Sequence, residues 1–145
     1  MKILIKYLAI SKNAQFCIIL IGSLILHGCD LSSSPEKLFS KANAERSQNN
    51  FKKAAEILRN LVNSDADQEI LVKSNLLLAE IFYHDLKDFN QAIQEYDNFC
   101  KSFPDHKNAA SSLFMQGFIY HNSLSDLQMA EKLYLKFLDE YPDHE

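Results

Sequence analysis

The chain has few glycines and few cysteines, and each shortage excludes a kind of site. Of its three glycines, two lie before Cys29, so no glycine-rich loop for cradling a phosphate group can form. Of its three cysteines, Cys17 and Cys29 lie in or beside an apolar leader, which leaves Cys100 without a partner for an intrachain disulfide. Cys100 follows an apolar helical pattern, and we interpret it as a small buried hydrophobic residue rather than a redox group.

The segment 1–28 has the composition of a secretory signal peptide. Three lysines are the only charges in this segment, and an apolar run over residues 16–26 follows them. The run is shorter than the roughly 20 residues that a membrane-spanning helix needs. A basic start, a short apolar run and a small residue therefore predict cleavage after Gly28.

The residues at this cleavage point, "LHGC", resemble the lipobox of bacterial lipoproteins. The resemblance implies that Cys29 becomes the first residue and carries lipid such as palmitate; the alternative is an ordinary signal peptide with a chance cysteine. Residues 29–34 then form a short tether to a domain at 35–145. We expect a lipid-anchored protein on the periplasmic face of a Gram-negative outer membrane, although Asp30 leaves the inner membrane open.

The mature chain is acidic. Removing the leader takes away three lysines and no acid, so the formal charge moves from −4 to −7. Nucleic acid favours Lys and Arg contacts to phosphate, so it is not an expected partner.

A repeat with a period of 38 dominates the remaining chain. "PDH" begins at Pro104 and again at Pro142, and Ala92 and Tyr96 recur as Ala130 and Tyr134. Repeats of roughly this length are typical of proteins built from stacked units. Apolar residues at helical spacing predict six helices and no strands, over residues 35–48, 51–64, 68–84, 89–102, 106–122 and 126–141.

The small and large positions of each unit resemble a tetratricopeptide repeat, for example Ala79, Phe82, Ala92, Tyr96 and Pro104. The resemblance covers residues 35–145 and implies an all-α, right-handed α-solenoid of about three helix pairs. Lys41 stands at the small position of the first unit, which we interpret as an atypical terminal repeat. The chain also resembles short envelope lipoproteins of Bacteroidetes type. It resembles more distantly the barrel-assembly lipoprotein of the outer membrane and the Tol-associated periplasmic protein.

The two Asp-His pairs raise the question of catalysis. Both follow a proline at the end of a unit, where Asp can cap the next helix, and equivalent positions of stacked repeats lie apart in space. An Asp-His pair alone also lacks the nucleophile and oxyanion donors of an active site. We therefore expect no enzyme and no cofactor. No metal site is expected, because no two histidines of the mature chain have i, i+4 spacing.

In this family partners bind on the concave surface, which the first helix of each pair lines. The resemblance therefore implies a groove that binds envelope proteins or peptides and is formed by Glu80, Tyr83, His84, Met115, Phe118, His121 and Asn122. Two functions stay open: an envelope scaffold for protein–protein interaction, with outer-membrane assembly or maintenance as its setting, and an accessory solute-binding lipoprotein of a nutrient-uptake system. We also expect an exposed apolar side on the last helix, at Leu127, Leu133 and Tyr134.

Overall fold

The structure, a computed structural model, describes residues 34–143, and this part of the chain contains six helices and no strand. The expected leader, Cys29 and nearly all of the expected tether lie outside the described residues. The prediction of an all-α fold is confirmed. The helices are α1 (Pro35–Ser47), α2 (Phe51–Val62), α3 (Gln68–Glu80, followed by a π-helical turn at Ile81–Asp85), α4 (Phe89–Ser102), α5 (Ala109–Asn122) and α6 (Leu127–Glu140).

The helices form three pairs, α1–α2, α3–α4 and α5–α6, stacked in chain order. Each helix packs against the next one along the chain, and α1 also packs against α3. Aspartates start three of the helices, because their carboxylates accept backbone N–H groups that have no partner in the first turn. Asp67 accepts from Ile70 at 2.9 Å, and the N-terminal aspartates of α4 and α6 make the same bond.

The turn inside each pair has a left-handed residue, and these residues recur with the period of the repeat. Asn49, Lys87 and Ser125 have φ values of 62°, 55° and 56°, and no other described non-glycine residue has a positive φ. In the second and third pairs the following N–H turns back to the helix: Asp88 N donates to Phe82 O, at 2.9 Å, and the third pair repeats the bond one period later. This bond spans six residues, one more than the bond of a Schellman helix end. The first pair has the Schellman bond itself, from Asn50 N to Glu45 O at 2.9 Å. The left-handed position of a Schellman motif usually holds glycine.

Small residues allow the two helices of a pair to approach closely. Ala54, Ala92 and Ala130 hold the same position in successive units and are all buried. In α5 the small residue is Gly117, where an added Cβ would lie 2.9 Å from the Tyr134 ring. The small side chains at these positions therefore serve the close packing of the two helices.

The join between α4 and α5 differs from the prediction. Helix α5 begins at Ala109 rather than at residue 106, and the residue before it is Asn108. Asp105 is exposed and is not the cap, so that prediction is wrong. The residues after Pro104 form turns instead, in which His106 N donates to Phe103 O at 3.1 Å and Ala109 N to His106 O at 2.7 Å.

The small residue of the first unit is one position later than predicted. Ala42 is fully buried, whereas Lys41 is exposed. The buried face of α1 is therefore shifted by one residue relative to the period of 38.

The apolar side of α6 also differs in part from the prediction. Leu127 is exposed, as predicted. Leu133 and Tyr134 are half-buried, because they pack over Gly117 in the gap between α5 and α6. Leu135 and Leu138 are exposed instead.

Candidate interaction groove

The predicted residues of the second unit lie at the end of α3, where the helix widens into its π-turn. Leu76, Glu80, Tyr83 and His84 share one helix face, because they are spaced by four, three and one residues. The widened turn is closed by the Leu86 N–H, which donates to the Ile81 carbonyl at 2.9 Å. Tyr83 and His84 are thereby held at the very end of that face.

Glu80 is joined to the first pair through Arg46 of α1. The Arg46 Nη1 atom lies 3.3 Å from Glu80 Oε2, and its Nε atom lies 2.6 Å from Asp85 Oδ2. One guanidinium therefore spans two acids of the next unit and fixes α1 against the end of α3. Arg46 was not among the predicted groove residues. It lies one full period before His84, so the repeat alignment contained the signal for it.

Tyr83 and His84 differ in their exposure. Tyr83 is half-buried and packs against the core, with its ring 6.0 Å from the Phe89 ring. His84 is exposed, and its ring meets Tyr83 edge to face at 4.5 Å. Tyr83 is therefore held by packing, whereas His84 is available to a partner.

The predicted residues of the third unit differ in their exposure and in their contacts. Met115 packs against the core, and Phe118 is half-buried with its ring 6.5 Å from Phe114. His121 is exposed but turns towards α6, where its ring lies 6.4 Å from the Tyr134 ring. Asn122 uses its side-chain N–H to donate to the Phe118 carbonyl at 3.0 Å. Glu80 thus contacts α1, whereas Phe118 and His121 contact aromatic residues of their own helix pair.

Two cavities lie near this arrangement, one on α3 and one on the third pair. The larger one, of about 560 Å³, lies between α3 and the start of α5 and includes Leu76, so it continues the face that carries Glu80. Its lining is Gln68, Glu69, Val72, Lys73, Leu76, His106, Lys107 and Asn108. The smaller one, of about 260 Å³, includes His121. The sequence prediction missed the lining of the larger cavity, because it considered the ends of the first helices and not their beginnings.

His106 has a structural position in the join between two units. Its Nδ1 atom accepts the Asn108 N–H at 3.1 Å, and its ring meets Phe99 edge to face at 5.7 Å. Phe99 is fully buried, so the histidine covers the end of the core. The first Asp-His pair therefore shapes a turn, and the second lies partly beyond residue 143.

Cys100 packs in the same join. Burial raises the pKa of its thiol to about 11, so the group is protonated at neutral pH. Its Sγ atom donates to the Ala109 carbonyl at 3.4 Å. A protonated, hydrogen-bonded thiol is a poor nucleophile.

Within residues 34–143, no three His, Cys, Asp or Glu side chains are grouped in a way that could hold a metal ion. In the same range, no helix is long and apolar enough to cross a membrane.

Stacked helix pairs of this kind define a class of repeat proteins whose extended surface binds other proteins. A sequence model of the family YfiO, described as outer membrane lipoprotein, matches residues 32–145. The chain belongs to this family, and the matched range includes all six helices. None of the curated proteins compared with the chain matches it.

Proposed function

We propose that this protein is a lipid-anchored scaffold of the Gram-negative envelope, which holds a partner protein or peptide against the face of α3. Membership of an outer membrane lipoprotein family supports the location and the interaction role. The single observation that supports the binding surface is the continuous face from Leu76 through Glu80 to His84, which runs from a cavity of about 560 Å³ to the Arg46 ion pairs.

The face combines features that suit an extended polypeptide. The cavity supplies apolar contacts through Val72 and Leu76. The exposed Lys107 at its edge supplies a positive charge, whereas Lys73 is paired with Glu69 of the same lining. At the other end His84 is exposed, and Glu80 keeps 47% of its side chain accessible despite its bond to Arg46. A partner can therefore meet both apolar and charged groups along α3. Phe118 and Tyr83 are aromatic side chains of the kind that anchor interfaces.

Anchoring through Cys29 forms the second part of the proposal. Replacing Cys29 by Ser should release the mature protein from the membrane fraction of cells. The tether of five residues from 30 to 34 spans at most roughly 17 Å, so the anchored domain lies close to the bilayer. A Cys29→Ser protein that stays wholly in the membrane fraction would contradict lipid anchoring.

The binding face is tested by crosslinking in cells. A photoreactive amino acid is placed at His84, which is exposed on the proposed face, and a matched one at Lys52, which is exposed on α2. We expect an envelope protein to be crosslinked from position 84 and not from position 52. The same crosslinked proteins from both positions would show that the face of α3 is not selective.

Substitutions then separate binding from folding. Replacing Phe118 by Ala should weaken binding of the crosslinked partner, by about 2 kcal/mol or more if it is a hot spot, and leave the fold nearly intact. Thermal melting of the purified variants is the control. If Phe118→Ala lowers the melting temperature as strongly as Phe99→Ala, a truncation in the core, then Phe118 is a packing residue and does not belong to the groove.

A further inference from the structure

A cavity of about 630 Å³ lies between the first and second helix pairs, and residues of α2, α3 and α4 line it. We call it the inter-pair cavity. Its volume is within the roughly 300–1,000 Å³ that is usual for small-molecule sites. The lining is rich in amide side chains, which are Asn63, Asn75, Gln94 and Asn98. Amides can both donate and accept hydrogen bonds, so the cavity is a candidate site for a polar ligand.

Two buried polar residues of this lining stand at positions that are apolar elsewhere in the repeat. Asn75 and Glu95 are each 7% exposed. One period later the residues are Leu113 and Leu133, and one period before Glu95 the residue is Ile57. A buried polar group costs free energy that an apolar side chain does not. The second unit therefore departs from the repeat at two buried positions, and both of them border the inter-pair cavity.

The hydrogen bonds of these two residues leave acceptors for a ligand. Asn75 Nδ2 donates to the Leu71 carbonyl at 2.8 Å, and within the described part of the chain nothing donates to its Oδ1 atom. Glu95 Oε2 accepts from Asn98 Nδ2 at 3.2 Å, and its Oε1 atom lies 3.5 Å from Arg59 Nη2. Each carboxylate oxygen can accept more than one bond, and each amide has a second N–H. The buried wall of the cavity therefore offers both free lone pairs and free N–H groups.

The charges of the lining are compensated within the protein. Glu95 pairs with Arg59, and Lys101 pairs with Asp97 at 2.6 Å. The remaining side chains of the lining are neutral. An ion that entered the cavity would lose hydration without meeting an uncompensated opposite charge, which is unfavourable. A neutral ligand is therefore favoured over a phosphate or an amine.

Arg59 closes the cavity on one side. Its Nη2 atom donates to Gln91 Oε1 at 3.1 Å across the gap between α2 and α4, and its guanidinium lies 5.3 Å from the centre of the Phe82 ring. A separate cavity of about 380 Å³, which Arg59 also lines, extends from it towards the start of α2. An extended polypeptide along this gap would have to break the contacts of Arg59. A compact ligand would not, and Val62 and Phe103 give it apolar surface.

We propose that the inter-pair cavity binds a sugar unit of a glycan. A sugar hydroxyl donates and accepts at the same atom, so neighbouring hydroxyls pair with the carbonyl and the N–H of one amide. Asn75 and Glu95 bind the hydroxyls that enter deepest, and the C–H groups of the ring pack against Phe103. The same chemistry occurs in the glycan strands of the cell wall and in soluble oligosaccharides. This inference does not depend on the face of α3.

Saturation-transfer NMR on the purified protein tests binding of two soluble probes, chitotetraose and maltotetraose. Co-sedimentation with purified peptidoglycan sacculi tests the cell wall as the source of the glycan. We expect saturation transfer to at least one tetrasaccharide. Binding of chitotetraose together with co-sedimentation would identify the cell-wall strand, whereas binding of either probe without co-sedimentation would identify a soluble glycan.

Two leucine substitutions, Asn75→Leu and Glu95→Leu, copy the third unit and separate binding from folding. Each should weaken binding by about fivefold, the effect of losing roughly one hydrogen bond. Neither should lower the melting temperature, because leucine is the residue at these positions one period later. Asn43→Leu is the matched control, because Asn43 of α1 donates to the Phe39 carbonyl at 3.0 Å in the same way but does not line the cavity. It should leave binding unchanged.

Four results would overturn the proposal. The first is no saturation transfer to either tetrasaccharide and no co-sedimentation with sacculi. The second is binding that both leucine substitutions leave unchanged. The third is a lower melting temperature for both of them, which would show that Asn75 and Glu95 serve folding. The fourth is saturation transfer to acetyl-tetraalanine amide and not to the sugars, which would make the cavity a peptide site.

Discussion

Lys87→Gly should stabilise this protein, although glycine usually weakens helical domains. Lys87 adopts the left-handed conformation, with φ at 55°, in the turn between α3 and α4. For a residue with a Cβ this region costs roughly 1–2 kcal/mol, and for glycine it does not. Against this gain, glycine loses about 0.5–1 kcal/mol through the larger freedom of its unfolded chain. The net expectation is a gain of about 0.5–1 kcal/mol.

Chemical denaturation of the purified domain, followed by circular dichroism, measures this difference. In a domain of this size a change of about 1 kcal/mol shifts the melting temperature by about 4 °C, so thermal melting gives a second reading. Asn49→Gly should give a smaller gain, because asparagine tolerates the left-handed region better than lysine. Lys87→Ala should be close to neutral, because alanine keeps the Cβ.

The control is Lys132→Gly, which places glycine at an exposed position in the interior of α6. Glycine there should cost about 1 kcal/mol relative to alanine, so the two lysine-to-glycine changes should have opposite signs. If Lys87→Gly destabilises the domain as Lys132→Gly does, the left-handed conformation carries no cost here and the reasoning is refuted.

Two further predictions concern the packing and the pH dependence of the domain. Ala92→Leu should cost roughly 1–3 kcal/mol by overpacking. Ala130→Leu should cost less, because Ala130 borders the open cavity that His121 and Tyr134 line; equal losses in denaturation would contradict this. The Lys53 ammonium, 2.6 Å away, and the Asn50 amide lower the pKa of Glu45. The ionised Glu45 therefore stabilises the domain above the ordinary pKa of a carboxyl group. This stabilisation is lost as the pH falls through the lowered pKa of the folded state. The stability difference between the native protein and Glu45→Gln should therefore shrink in acid, with the exposed Glu56→Gln as control, and a difference independent of pH would argue against it.

Much of the fold could be predicted from the sequence, because the same requirement for close helix packing recurs in each of the three units. Ala54, Ala92 and Ala130 are small since two helices meet there, and the period of 38 that they share predicted three helix pairs. The left-handed turns recur with the same period, but their residue types do not predict a left-handed conformation. Glycine stands at none of the three positions, and Asn49, Lys87 and Ser125 share no side-chain chemistry that would mark them.

The helices, their pairing and the small residues that join them could be read from the amino-acid sequence, because these depend on spacing along one chain and on volume. How side chains from different units meet became known only in the folded stack. There Arg46 joins Glu80 and Asp85, His121 turns towards α6, and Leu133 and Tyr134 are covered over Gly117 while Leu135 and Leu138 are exposed. These outcomes depend on the direction of each side chain in a stack of helices, and a shift of one residue on a helix turns that direction by about 100°. A repeat alignment fixes a position, whereas the partner of that position is set by the helix that packs beside it.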